Sequence, residues 1–371
     1  MDLIAYMQQI PSESEVSEVD AWKRRALSLE LTEQYLREKL HIKEVQLEAI
    51  KRSPAWKLSK PLRVLNILAW KYKPELRDIP ELEISANLNT TGATVAEQQA
   101  DVAFFEILNL DLITTHERCA FVASYLMSPR LSESLTGILN KLVDQGFETV
   151  LIVASDFRNK LELPSNLEKR ISVIRRPNHG YDFGSWAIAN AMVPKARVAN
   201  EVLLVNDSLY FNATNAHQFA EAVRKANQSE FEVTSVTDSL LHSYHLQSYF
   251  LHFKNGVFGK KEIQTFFKEV RPQQDRDAVI FAYEIGFSLM ARRSGITVGS
   301  LFPWNSFRND SGNSSIHAWR ELMDRGWPFV KKEVFKSKSK SECEEIFTQL
   351  KKTSNFDPQI LDGIRAELDL H

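Results

Sequence analysis

Four short runs of continuous apolar sequence set the tightest limit on what this chain can fold into. They are Cys119 to Tyr125 (CAFVASY), Thr149 to Ala154 (TVLIVA), Ile171 to Ile174 and Val202 to Val205. None shows the in–out alternation of a strand with one wet face. Runs of this kind suit strands covered on both sides, as in a mainly parallel sheet. After the first run, Leu131, Leu135, Ile138, Leu139, Leu142 and Val143 recur at helical spacing, and Gly146 marks the stop. A second helical stretch begins near Gly184, between the third and fourth runs. Apolar strands alternating with helices predict an α/β domain with helices on both faces of the sheet. Ligands of such sheets bind at the carboxyl ends of the strands, so the residues just after each run are the candidates for chemistry.

The sequence before this pattern reads differently. Trp22, Ala26, Leu29, Glu33, Leu36, Leu40, Lys43, Leu47 and Ile50 step by fours and threes through residues 20–52. That is heptad spacing, with Glu33 and Lys43 as the breaks, and it predicts a long N-terminal helix. Self-association as a coiled coil and packing on its own domain are both open. Ser53-Pro54 ends the helix, and a basic–aromatic segment follows, Trp56 to Arg63 and then Leu65 to Lys73. Lysine and arginine interleaved with tryptophan and leucine suit an anionic membrane interface. A linker helix with a solvated basic face is the plainer alternative. The expected organisation is therefore an N-terminal segment over 1–73, a linker over 74–117, a main domain over 118–340 and a helical C-terminal tail over 341–371.

Composition excludes several classes. The 371 residues carry a formal net charge of -2, without the basic excess of a nucleic-acid binder. The two cysteines, Cys119 and Cys343, are far apart and form no CxxC pair, which argues against a zinc knuckle and an oxidising compartment. Met1 to Ser12 lacks the basic start and apolar run of a secretion signal. No stretch approaches the ~20 apolar residues of a membrane span. The expectation is a cytoplasmic protein, with peripheral contact at the inner membrane left open through residues 56–73.

Four blocks carry candidate chemistry. Arg175 to Trp186 (RRPNHGYDFGSW) follows the third apolar run and opens a helix. Its glycines permit a tight turn and close approach of backbone to ligand, and Asp182 either caps the helix or accepts hydrogen bonds from a ligand. In Leu203 to Asn212 (LLVNDSLYFN) an apolar strand runs straight into Asn206-Asp207-Ser208, either a ligand site or an Asx turn. Tyr283 to Ile296 (YEIGFSLMARRSGI) reads as a helix with Glu284 near its start and a glycine stop. A carboxylate fixed there suits a general base, or simply complements the helix dipole. Lys331 and Lys332 follow a short apolar strand and could meet a diphosphate as point charges. The histidines form no metal set, and no GxxxxGK[ST] or GxSxG motif is present.

Taken in order, these blocks resemble the rhamnan synthesis protein F family of bacterial glycosyltransferases. The likeness runs from about Arg118 to Phe335 and rests on CAFVASY, RPNHGYDFGSW, LLVNDSLYF, His245 to Phe250 (HLQSYF), YEIGFS and WRELMDRGWPFVKKEVF. It implies a GT-A-like fold, with a Rossmann-like sheet holding a nucleotide-diphospho-sugar. It also implies transfer of L-rhamnose or another deoxyhexose from a dTDP-L-rhamnose-like donor to a growing surface polysaccharide of O-antigen or rhamnan type, the acceptor a polysaccharide or lipid-linked glycan. By analogy Asn206-Asp207-Ser208 takes the DxD position, with Asn206 where the first acid would stand. Asp207 is then the candidate ligand for Mg²⁺ or Mn²⁺, and metal independence stays open. Glu284 is matched to the base of an inverting enzyme, with Asp182 second. Asn178, Gly180, Tyr181, Asp182, Asn206, Asp207, Ser208, Lys331 and Lys332 are expected to hold the donor, and His245, Gln247, Tyr249 and Trp319 the acceptor or sugar. A silent glycan-binding scaffold and a glycoside hydrolase with two opposed carboxylates are the rival readings.

Overall fold

The computed structural model describes residues 93–95, 106–114, 117–178, 180–212, 216–241, 243–273, 276–307, 313–336, 338–353 and 356–369. All fall within one unit, Asn87–His371. The expected helix over 20–52 and the basic–aromatic segment lie outside the described residues.

The four apolar runs become β2 (Arg118–Leu126), β3 (Glu148–Ser155), β4 (Ile171–Arg176) and β5 (Glu201–Asn206), preceded by a short β1 (Glu106–Leu108). Helix α1 (Glu133–Asp144) links β2 to β3. Its start is set by Ser132, whose side chain accepts from the Leu135 N–H, and its end by Gly146 at φ 80°. Helix α2 (Tyr181–Met192) precedes β5. Beyond β5 come β6 (Leu209–Phe211), α3 (Ala216–Gln228), β7 (Val233–Ser239), β8 (His245–Leu246), β9 (Phe250–Phe253) and α4 (Lys261–Lys268). The chain closes with α5 (Arg276–Val279), a π-helical segment (Ile280–Ile285), α6 (Gly286–Arg293), β10 (Val298–Phe302), α7 (Ser314–His317), α8 (Trp319–Asp324), β11 (Phe329–Lys331), α9 (Lys340–Thr353) and α10 (Pro358–Asp369).

Among the described residues the main sheet runs β1-β4-β3-β2-β5-β9-β7-β10, with β8 on β7. Strands β4, β3, β2 and β5 pair in parallel, as do β7 and β10. The sheet is mixed rather than simply parallel, because β9 enters antiparallel to both β5 and β7, and β1 antiparallel to β4. From β2 the chain steps outward through β3 and β4, then returns to the opposite flank of β2 as β5. This reversal opens a crevice at the carboxyl ends of β2 and β5, where α/β sheets bind ligands.

Strand alternation feeds two cores. On one face Phe121, Ile152 and Leu204 pack with Phe183 and Trp186 of α2 and Phe287 of α6. On the other Val122, Leu151 and Leu203 meet Leu135, Ile138 and Leu142 of α1 and Phe219 of α3. Burying each such side chain contributes roughly 1.5–3 kcal/mol, which is why both faces are closed. Between the faces Glu201 of β5 is clamped by Arg118 of β2 (Nε to Oε2, 2.8 Å) and His252 of β9 (Nε2 to Oε1, 2.7 Å). Burial works to raise this carboxyl, but the bonds from His252 and Arg118 outweigh it and hold Glu201 below its ordinary range.

Two expected boundaries move. The stretch 74–117 is not all linker. Val95 is buried, with its N–H donating to Val270 O at 2.7 Å, and β1 joins the sheet through an ion pair from Glu106 to buried Arg175 at 3.4 Å. The helices over 341–371 are no tail either. Ile346, Phe347, Leu350, Ile360, Leu361 and Ile364 form one apolar cluster with Tyr210 of β6 and Val330 of β11. Their helical spacing supplies the buried face.

Candidate active site

The residues following β5 and β2 meet at the crevice. Successive residues of a strand face opposite sides, so Asn206 turns toward α2 and Asp207 toward the other face. The Asn206 amide N–H donates to Asp182 Oδ2 at 2.7 Å, while its carbonyl oxygen accepts from Ser208 N (3.1 Å) and Ser208 Oγ (2.5 Å). Those two bonds fix which end of the amide faces Asp182. Asp207 Oδ2 accepts from Ser124 Oγ at 2.6 Å, directly across the β2–β5 reversal.

Asp182 is delivered by the start of α2. Gly180 there is left-handed (φ 78°), and a Cβ on it would lie 2.8 Å from Val95 Cγ2. Glycine is required on both counts. Tyr181 is also left-handed (φ 54°), which turns its ring out to solvent. Asp182 does not cap the helix. Gly180 is the N-cap residue and offers no side chain, and buried Arg176 braces the turn instead, donating to Pro177 O, Tyr181 O and Ser185 Oγ. Burial first, then repulsion from Asp207, push the Asp182 carboxyl up to about 7, against the Asn206 bond. Glu284 adds repulsion and Arg176 opposes it. Burial also raises Asp207, with Lys332 and the Ser124 bond pulling the other way.

Glu284 sits elsewhere than expected. It lies inside the π-helical segment rather than at a helix start, since Arg276–Val279 is already helical. A wide turn of this kind is frequent at functional sites, and no helix N-terminus holds the carboxylate. Ser248 Oγ donates to Glu284 Oε1 at 2.5 Å, Ser248 N to the same atom at 3.4 Å, and His245 Nε2 stands 3.5 Å from Oε2. Glu284 keeps 19% of its side chain exposed.

The lysines arrive on a small ladder of β6 with β11, which pairs Leu209 with Lys331. Lys331 Nζ lies 5.2 Å from the Tyr249 ring centroid, and burial lowers it from its usual range while Glu284 and Asp182 resist. Lys332 donates its N–H to Ser208 O at 2.8 Å and pairs through Nζ with Glu367 of α10 at 3.2 Å. Asp182 thus responds to the charges of both Asp207 and Glu284, and Lys331 to those of Glu284 and Asp182. The three acids and two lysines therefore lie near enough to feel one another's charge around the carboxyl end of β5.

Other expected residues divide. Asn178 and Tyr181 are exposed on the loop after β4. Tyr249 is buried, with its hydroxyl bonded to Thr237 at 2.6 Å, and it meets the cleft only as the ring beneath Lys331. Gln247 is removed from the pocket, because both ends of its amide are engaged inside the protein, by Thr237 Oγ1 at 2.5 Å and Asn313 Oδ1 at 3.0 Å. Trp319 is removed too, since its ring is buried with Tyr210, Met323 and Phe335 in the C-terminal cluster. Sequence reasoning missed Ser124 and Ser248. A lone polar residue closing an apolar run was the available signal for Ser124. It missed Asp238 as well, a buried carboxyl at the end of β7 that burial pushes up to about 6 despite a bond from Trp304 N at 2.7 Å.

Among the described residues no three His, Cys, Asp or Glu side chains are arranged to hold a metal ion. Asp207 offers a single carboxylate, already accepting from Ser124 Oγ and from the Tyr125 backbone. That set suits a divalent ion only in company with diphosphate oxygens and water, an arrangement common for Mg²⁺. A hollow lined by Phe347, Lys351, Leu361 and Arg365 lies between α9 and α10 and contains none of the three acids. Among the described residues no helix is long and apolar enough to cross a membrane.

A family model described as rhamnan synthesis protein F matches residues 152–364. "Uncharacterized protein y4gN" of Sinorhizobium fredii is 24% identical over 209 residues, covering 54% of this chain and 52% of its own. "Virulence protein VirA" of Vibrio anguillarum is 27% identical over 218 residues, covering 47% and 66%. The chain thus spans between half and two thirds of the length of these curated relatives. A crystal structure of a glycosyltransferase involved in the glycosylation of the major capsid of PBCV-1 aligns with 62% of this chain and 99% of its own, at 13% identity and TM-score 0.35. At that score it shows neither fold nor activity for this chain.

Proposed function

The chain belongs to the rhamnan synthesis protein F family, and from that premise we propose that it is a glycosyltransferase of polysaccharide synthesis. The donor in this reading is a nucleotide-diphospho-deoxyhexose of the dTDP-L-rhamnose kind. The acceptor is a hydroxyl of a growing surface polysaccharide or lipid-linked glycan. The observation that carries the reading is the meeting of Asp182, Asp207 and Glu284 with Lys331 and Lys332 at the strand reversal.

Each group then has a task. Glu284, oriented by Ser248 and partly open to solvent, takes the proton of the acceptor hydroxyl. The resulting oxygen attacks the anomeric carbon from the face opposite the leaving diphosphate, giving inversion. Lys331 and Lys332 stabilise the charge that builds on the diphosphate, and preorganised charge of this type is usually the largest catalytic contribution. Asp182 orients the ribose or the sugar, and the exposed Asn178 and Tyr181 line the approach. A divalent ion, where bound, would be held by Asp207 and the diphosphate and would neutralise the same charge.

Binding and turnover test the reading separately. Thermal shift against dTDP, UDP and their sugars, with and without Mn²⁺, should show stabilisation by a nucleotide. Glu284→Gln should keep that binding and lose ~10²–10⁴-fold in kcat. Full turnover by a folded Glu284→Gln protein refutes the base. Glycan binding without any nucleotide binding turns the conclusion to the scaffold.

A further inference from the structure

We propose that His245 is the positioning residue of Glu284, and that it acts as an imidazolium rather than as part of the sugar pocket. The inference rests on reading Glu284 as the base. Two contacts of the ring bear on its protonation. Nδ1 lies 2.8 Å from the Ser243 carbonyl oxygen. A carbonyl oxygen only accepts, so Nδ1 carries a hydrogen. Nε2 lies 3.5 Å from Glu284 Oε2. In the neutral ring this nitrogen would aim a lone pair at a carboxylate. In the imidazolium it presents an N–H to that oxygen and forms an ion pair. The His245 side chain is only 4% exposed, so water does little to screen the contact.

Charges of both signs lie nearby, Glu284, Asp182, Arg276 and Glu333 all acting on Lys331 and Arg292 standing over the Tyr244 ring beside His245, so the contact with Glu284 decides the charge of the ring. The backbone fixes the pair as well. Strand β8 seats His245 opposite Ser239 of β7, and the next residue, Leu246, donates its N–H to Ser288 Oγ at 3.0 Å. Ser288 in turn donates to the Glu284 carbonyl at 2.9 Å. The histidine and the glutamate are thereby stitched to one another through the helix that carries the base. With Ser248 holding Oε1 and His245 facing Oε2, the carboxylate is constrained from two sides.

The test is magnetic resonance on the full chain with isotope-labelled histidine, the His245 signals being those lost in His245→Gln. At neutral pH the wild type should show both His245 ring nitrogens protonated, and Glu284→Gln should abolish that signature. A positioning role also predicts that His245→Gln lowers kcat by ~10–10²-fold, the usual penalty for a displaced reacting group, with the donor KM unchanged. A singly protonated His245 in the wild type overturns the proposal, and that measurement does not depend on any variant being active. A His245→Gln effect confined to KM overturns it too and returns the residue to the sugar pocket. Should Glu284→Gln turn over normally, the base assignment falls by itself, whatever the ring signals show.

Discussion

Asp182→Asn should stabilise the protein while damaging it as a catalyst, and the stabilisation should grow with pH. Asp182 is raised from 3.8 to about 7, by burial first and by Asp207 second. Asparagine has the shape of the protonated acid, and its carbonyl oxygen can still accept from the Asn206 amide, now 2.7 Å from Oδ2. Below about pH 4 the acid is neutral in both folded and unfolded chains, so the two proteins should be equally stable. Between about pH 4 and 7 the folded wild type keeps the proton and the unfolded chain loses it. The folded state then binds more protons, and wild-type stability falls as pH rises. Above about 7 both states are ionised and the penalty is constant. A shift of about three units at ~1.4 kcal/mol each sets a ceiling of ~4 kcal/mol. Asp182 is not sealed from water, and screening lowers the expected gain to ~1–2 kcal/mol. At ~2–4 °C per kcal/mol the melting temperature rises by several degrees. Guanidinium melts of both proteins across this pH range measure the difference directly. A stability difference that is flat with pH, or an asparagine variant less stable at alkaline pH, refutes the reasoning.

Asn206→Asp replaces the amide donor that faces Asp182 with a second carboxylate, setting two acids side by side on one face. Calorimetric titration should find weaker nucleotide binding without metal and a new gain from Mn²⁺; binding that ignores both contradicts the assigned geometry. Glu201→Gln removes the carboxylate that joins partly exposed Arg118 to buried His252 and should cost ~1.5–3 kcal/mol of stability, read from denaturant melts. Because Glu201 is held below its ordinary range, the wild type should lose stability as pH falls through that lowered value, and the variant should lack this acid limb. Replacing Lys57, Lys60, Arg63, Lys71 and Lys73 by Gln should release the full chain from anionic liposomes in a flotation assay, at ~1 kcal/mol per basic residue. Equal flotation of both proteins removes the membrane role for residues 56–73.

Much of this was legible wherever one signal ran without interruption. CAFVASY and TVLIVA became adjacent parallel strands because a run with no polar break has to be covered on both faces. The Gly146 stop of α1 was local chemistry and fell where expected, whereas the Ser132 cap was not singled out. Legibility failed where a distant partner decided the outcome. FLHF is too short to declare itself, so β9 and its antiparallel entry were invisible. The helical pattern around Glu284 was visible, but its π turn leaves no mark in residue type, and the carboxylate was placed one helix end too early. His245 and Gln247 are two residues apart on similar polar sequence, yet one faces Glu284 and the other is satisfied inside the protein. Trp319 looked like a sugar platform, and only the packing of α9 and α10 shows that its ring is core.

The placement of the acids explains how a site with so much negative charge can receive an anionic donor. Neighbouring residues of β5 point to opposite faces, so Asn206 and Asp207 cannot act as a pair on one side of the sheet. The second acid comes instead from α2, held to Asn206 by a hydrogen bond. Had all three carboxylates been charged, a diphosphate would meet Asp182, Asp207 and Glu284 against Lys331 and a Lys332 already paired with Glu367. Burial and Asp207 resolve this by keeping a proton on Asp182 up to about neutral pH. A neutral Asp182 repels nothing and gains a donor for a ribose or sugar oxygen. On the proposed reading, the same desolvation that costs the fold stability there makes room for the charge of the donor.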